Sequence, residues 1–178
     1  MTTDIERNIS PCIKFLRGYL RHGSVGAEIG IWDGGNALVA LQQLGLKTYY
    51  MIDPYVEYAD NNYKQAAYEE MYQAVLGKFS GVPEANFMRV SSMEAARTLH
   101  VEFDFVYIDG AHDYKTKMAD LGSWYAKLRP GGILCGDDYN IESVSKAVND
   151  FSRNMDVSFW VSNYSEPHPP EFFMIRSR

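Results

Sequence analysis

The stretch Phe103–Tyr114, FDFVYIDGAHDY, constrains this chain most. Phe103, Phe105, Val106, Tyr107 and Ile108 form a short apolar run of strand type that stops at Asp109-Gly110-Ala111-His112-Asp113. So apolar a strand belongs inside a covered sheet. It delivers a carboxylate, a glycine and a histidine to the rim of that sheet. In open α/β sheets the carboxyl rim is where ligands bind. The same residues also make an ordinary turn and helix cap, so the other strand ends must decide between the two readings.

The rest of the chain alternates in period. Ile9, Cys12, Ile13, Leu16 and Leu20 recur at three- and four-residue steps and predict a helix from about Thr3 to Arg21, with Pro11 in a first turn and Asn8 or Ser10 as cap. Ser24–Trp32 reads as a strand, followed by a helix through Leu38, Val39, Leu41 and Leu44 that Gly45 stops. Lys47–Ile52 is the second strand, Tyr63–Phe79 a helix, and Asn86–Val90 the third strand. Ser91-Ser92 cap a short helix to Leu99. After the opening strand, Lys115–Leu128 is a helix closed by Arg129-Pro130-Gly131-Gly132, Ile133–Gly136 is the fifth strand, and Ile141–Arg153 is a helix. Val157–Val161 and Phe172–Ile175, joined by the loop Ser162–Glu171, are antiparallel neighbours. Strand–helix alternation implies an α/β fold, a largely parallel sheet with helices on both faces. No repeat or linker interrupts it, so residues 1–178 are expected to form a single domain.

Charge and composition narrow the partners. The 178 residues carry a net charge of −6 with no Lys/Arg-rich run, which argues against nucleic acid as the main partner. Cys12 and Cys135 are isolated and make neither a disulfide framework nor a zinc site. The N-terminus MTTDIERNIS lacks a signal-peptide pattern, and no apolar stretch approaches the ~20 residues of a membrane span. A cytoplasmic protein without a membrane partner is the expectation.

The carboxylates fall at the strand ends: Glu28 and Asp33 at the first, Asp53 at the second, Asp109 at the fourth, Asp137-Asp138 at the fifth. In a parallel sheet these ends share one edge. The first turn, Glu28-Ile29-Gly30-Ile31-Trp32-Asp33-Gly34-Gly35, lets backbone approach a ligand, but Trp32 breaks the dinucleotide pattern G-x-G-x-x-G. Asp53 lies about 23 residues after Gly30, where a carboxylate can accept from both hydroxyls of a ribose. A nucleoside-containing cofactor is favoured.

At these residues the chain resembles the class I S-adenosylmethionine-dependent methyltransferases. It is most similar to the small macrocin- and mycinose-type sugar O-methyltransferases, and more distantly to catechol O-methyltransferase. The matching blocks are AEIGIWDGGN (27–36), YMIDPY (50–55), FVYIDGAHDY (105–114), DLGSWYAKLRPGGILCGDDY (120–139) and the two-strand tail. The resemblance implies a Rossmann-like, seven-stranded three-layer sandwich of strand order 3-2-1-4-5-7-6, the last strand antiparallel. It implies that Glu28 and Gly30 line the amino-acid end of S-adenosylmethionine and that Asp53 holds the ribose. Ser91 or Ser92 would sit by the adenine, with Asp109 also on the cofactor side. Asp109, Asp137 and Asp138 match divalent-metal positions, expected to take Mg²⁺, and His112 matches the general base. The wider class has E-x-G-x-G-x-G in the first turn; here Trp32 stands at the middle glycine.

The chemistry agrees with that assignment. Methyl transfer from a sulfonium needs an oxygen placed about 3 Å from the methyl carbon, and its proton removed. A hard cation on carboxylates lowers a hydroxyl pKa, and histidine accepts protons near neutrality. The expected function is O-methylation of a small sugar or catechol-like diol. Rivals are a cofactor-binding module without catalysis and a nicotinamide-dependent oxidoreductase. The short N-terminal segment leaves room for a partner subunit to complete the substrate site, and a homo-oligomer is compatible with that reading. Tyr55, Tyr58, Tyr63, Tyr68 and Tyr72 suggest an aromatic lid, although the helical spacing of Tyr68 and Tyr72 favours packing. Trp124 reads as core, and His168-Pro169-Pro170 as a loop over the substrate or an exposed tip.

Overall fold

Phe103–Ile108 is buried at every position and forms β4, the middle strand of a seven-stranded sheet. The computed structural model describes residues 9–57, 64–163 and 168–177. The elements in chain order are α1 (Pro11–Tyr19), β1 (Val25–Ile29), α2 (Gly35–Gln43), β2 (Thr48–Ile52), α3 (Gln65–Lys78), β3 (Ala85–Met88) and α4 (Ser92–Thr98). They continue with β4, α5 (Tyr114–Tyr125), β5 (Leu128–Gly136), α6 (Glu142–Met155), β6 (Phe159–Val161) and β7 (Phe172–Ile175). The strand order is β3-β2-β1-β4-β5-β7-β6. Pairings are parallel from β3 to β5, and β7 runs antiparallel to both β5 and β6. The α/β sandwich and its strand order match the expectation.

Two apolar layers hold the sheet. Phe105 and Tyr107 of β4 join Cys12, Ile13 and Leu16 of α1 and Ala37 and Ala40 of α2 on one face. Val106 and Ile108 join Leu121 and Trp124 of α5 and Val144, Ala147 and Val148 of α6 on the other. Alternate residues of one strand thus serve both layers, as a doubly covered parallel strand must. Trp124 is fully buried, in keeping with its reading as a core residue.

Register positions the site. Ile29 pairs with both Ile52 and Ile108, and Ile108 pairs with Gly136, so β2, β1, β4 and β5 end level with one another. The next residues, Asp53, Gly30, Asp109 and Asp137, therefore lie along one rim. Between β1 and β4 the strand order reverses, leaving the crevice where α/β ligands bind.

Several boundaries differ from the sequence reading. α1 starts at Pro11 with Ser10 as its cap, the hydroxyl accepting from Ile13 N–H at 3.2 Å; Thr3–Asn8 lie outside the described residues. α5 ends at Tyr125, and Arg129-Pro130-Gly131-Gly132 belongs to β5 rather than to a helix stop. The reason is tertiary: Leu128 is buried against Phe103, Arg129 pairs with Asp104, and the β4–β5 register shifts between Phe103 and Phe105. Gly131, at φ 81°, supplies the left-handed residue this irregularity needs. Among the described residues no helix is long and apolar enough to cross a membrane.

Candidate active site

A cavity of about 630 Å³ opens at the β1–β4 crevice, within the size range of cofactor pockets. Gly30 builds its floor. Its φ is 87°, and a β-carbon there would lie 2.2 Å from the Asp109 carbonyl oxygen, so only glycine lets the β1 and β4 ends meet.

Asp53 organises the turn above that floor. Its Oδ2 accepts from Ile31 N–H at 2.9 Å and Trp32 N–H at 3.2 Å, and its Oδ1 accepts from Tyr55 N–H at 2.8 Å. The carboxylate lines the cavity while fixing three backbone donors. Trp32, at the middle-glycine place, adopts φ 50°, a left-handed conformation unusual for a residue with a β-carbon. Tyr55 O–H donates to its carbonyl at 2.5 Å.

Glu28 is placed differently from the expectation that it lines the cofactor. It is 1% exposed and does not reach the cavity wall. Asn36 Nδ2 donates to its Oε1 at 3.1 Å and Tyr49 O–H to its Oε2 at 2.8 Å. Burial pushes its pKa up to about 7, against the lowering effect of those two donors. It ties β1 to β2 and α2 beneath the turn.

Ser91 and Ser92 both line the cavity. Ser91 caps α4, accepting from Glu94 N–H at 3.3 Å. Ser92 donates to Asp120 and accepts from Trp124 Nε1 at 2.8 Å. Asp120, on α5, also lines the cavity; its pKa is raised, chiefly by burial.

At the β4 and β5 ends, one donor atom each of Asp109, His112 and Asp138 falls within 4.8 Å of the others. The expected metal trio is Asp109, Asp137 and Asp138; the group that converges contains Asp109 and Asp138, with His112 as its third member. Asp138 takes φ 61°, and its N–H bonds Asp137 Oδ1 at 2.7 Å, so of the two consecutive carboxylates it is Asp138 that meets His112. His112 Nε2 lies 2.8 Å from Asp138 Oδ2, with the side chains 48% and 24% exposed. The His112 contact holds the Asp138 carboxyl below its ordinary pKa. Asp109 is pushed well up by burial and then by Asp137, and burial pushes Asp137 up to about 6. Behind them Lys117 is fully buried, and its Nζ has no hydrogen-bond partner among the described residues. Burial lowers its pKa, and Asp109 opposes that most.

Asp120, Lys117 and the Trp32 wall were missed in the sequence. Lys117, Leu121 and Trp124 recur at steps of four and three, which is the buried face of α5. The aromatic lid is only partly visible. Tyr68 lines the cavity, Tyr55 and Tyr72 pack with Phe87, and Tyr58 and Tyr63 lie outside the described residues. His168 is not part of the cavity wall; Pro170 O accepts from Tyr139 N–H at 3.0 Å beside it.

Residues 27–139 match a family model described as a methyltransferase domain, and the chain belongs to that family. Its fold is that of class I S-adenosylmethionine-dependent methyltransferases. An rRNA methylase from Streptococcus thermophilus superposes with a TM-score of 0.69 at 16% identity, covering 98% of this chain and 99% of that one. The O-methyltransferase NovP gives 0.70 at 16%, covering 94% and 80%. TomG from Streptomyces achromogenes, involved in tomaymycin synthesis and solved with S-adenosylmethionine, gives 0.68 at 14%, covering 97% and 82%. Uncharacterized protein R132 of Acanthamoeba polyphaga mimivirus is 30% identical over 118 residues, 63% of this chain and 50% of that protein. The chain thus spans about half the length of that curated relative.

Proposed function

We propose that the chain transfers a methyl group from S-adenosylmethionine to a hydroxyl of a small molecule, a sugar or catechol-like diol, with His112 as the base. The observation that carries this reading is the 2.8 Å Asp138–His112 pair at the mouth of the cavity, with Asp109 on the same rim. Bound S-adenosylmethionine supplies the methyl group on a sulfonium, open to in-line attack by oxygen. The carboxylate of Asp138 accepts from Nε2, which leaves the Nδ1 lone pair of His112 to take the hydroxyl proton. Asp138 then stabilises the imidazolium it faces. Ser91, Ser92 and Asp53 offer polar groups to a nucleoside along one wall.

The donor set also fits a divalent cation. Asp109 is a half-buried carboxylate crowded by Asp137, and a cation relieves that repulsion. Asp109 and Asp138 would hold it, with His112 kept for the proton. When bound, such an ion lowers the pKa of a substrate hydroxyl. Mg²⁺ suits the two carboxylates, and Mn²⁺ tolerates the neighbouring imidazole better. The net charge of −6 and the acidic rim support a small acceptor over RNA.

Calorimetry with S-adenosylmethionine, S-adenosylhomocysteine and NAD, with and without Mg²⁺ or Mn²⁺, tests the reading. The first two should bind and NAD should not. Failure of both to bind would overturn it. Methyl transfer to RNA in preference to a diol would overturn the acceptor class, an arm worth including because one structural relative is an rRNA methylase.

A further inference from the structure

We propose that Trp32 is a specificity-determining residue: its indole, braced by Tyr68, reads the positive charge of the methyl donor and separates the sulfonium from its neutral thioether product. This rests on the S-adenosylmethionine reading above. Trp32 lines the cavity and is 42% exposed, whereas Trp124 is completely buried. Its placement is enforced rather than incidental. The left-handed backbone is held from both sides, by Asp53 on the N–H and by the Tyr55 hydroxyl on the carbonyl. Tyr68 stands against the indole at 82° with ring centroids 6.3 Å apart, a braced arrangement that fixes the ring.

The chemistry of the surroundings points to a cation. The lining carries Asp53, Asp109, Asp113 and Asp120, and no lysine or arginine among the described residues. An aromatic face attracts a ligand cation by its quadrupole, and nearby carboxylates add to that field. The partners that hold Trp32, Asp53 on its N–H and Tyr68 on its ring, line the same cavity, so the indole borders the space in which the methyl donor would lie. A π face gains little from a neutral thioether. The result is a preference for the charged donor and easier release of the spent product.

The test measures Kd by calorimetry for three ligands. They are S-adenosylmethionine, its aza analogue with an ammonium in place of the sulfonium, and S-adenosylhomocysteine. The proteins are wild type, Trp32→Phe and Trp32→Leu, with circular dichroism as the check on folding. Trp32→Leu should weaken the two cations about fivefold to tenfold and change S-adenosylhomocysteine less than about twofold, with Trp32→Phe between wild type and Trp32→Leu. Equal loss for all three ligands, or no loss, overturns the role of Trp32 while leaving the cofactor reading intact. Failure of wild type to bind any of them overturns the cofactor reading itself, and the role of Trp32 with it. A variant too unstable to assay is covered by Trp32→Phe, and by the wild-type indole fluorescence. That signal should shift with the cationic ligands and lose the shift in Trp32→Phe; an unchanged shift contradicts the contact.

Discussion

At the scale of single residues, the turn after β5 decides the chemistry. Two consecutive aspartates follow that strand, and the sequence alone does not say which one faces His112. The left-handed φ of Asp138, with its N–H on Asp137 Oδ1, makes the choice. Aspartate tolerates that conformation better than most residues, but the conformation itself is set by the neighbouring strands. Lys117 was hidden for another reason. A charged residue on a helix reads as solvent-facing, and only the partners at 121 and 124 reveal that its face is buried. Lys117 is the cation facing Asp109, Asp120, Asp138 and Asp137, and removing one partner of a buried charge cluster leaves the others uncompensated. Lys117→Met is expected to lower stability by about 3 kcal/mol or more, read as a lower melting temperature. A higher one would mean that Lys117 suffers from burial more than it neutralises the acidic cluster.

At the scale of elements, the ends of β1, β2, β4 and β5 were legible because each apolar run carries Asp or Glu at or near its end, and burial on both faces leaves such a run few alternatives. The irregular start of β5 was not legible. Arg129-Pro130-Gly131-Gly132 has the composition of a helix stop, and the pairing with β4 and β7 overrides it. The β1 end depends on glycine in a way that mutation can expose. Gly30→Ala places a β-carbon against the Asp109 carbonyl and forces alanine to positive φ. Where the native conformation is incompatible, such changes cost more than about 1 kcal/mol. The variant should therefore unfold at lower denaturant and bind cofactor weakly. Wild-type stability in Gly30→Ala would show that the β1 and β4 ends have room the packing denies.

At the scale of the whole molecule, buried acids couple stability to pH. Glu28 lies under the first turn. Glu171 joins α1 to β4, accepting from Cys12 N–H and from Tyr107 O–H, the latter at 2.9 Å. Burial pushes both up to about 7. Each folded-state pKa lies above its unfolded value, so the native state holds more protons between about pH 4.5 and 7. Their contribution is complete below that window and is lost as pH rises through it. Melting temperature should fall from pH 5 to pH 8, and the double variant Glu28→Gln, Glu171→Gln should show a smaller fall. An equal fall in the variant would assign the slope to other groups. The central claim is that a methyl-transfer site is assembled where β4 and β5 end, with His112 as its base. The most direct test is mass-spectrometric detection of methyl transfer from S-adenosylmethionine to a vicinal diol, comparing wild type with His112→Asn. Wild type should form the O-methyl product, and His112→Asn should lose about 10²–10⁴-fold in rate while still binding S-adenosylhomocysteine. Undiminished transfer by His112→Asn would contradict the account.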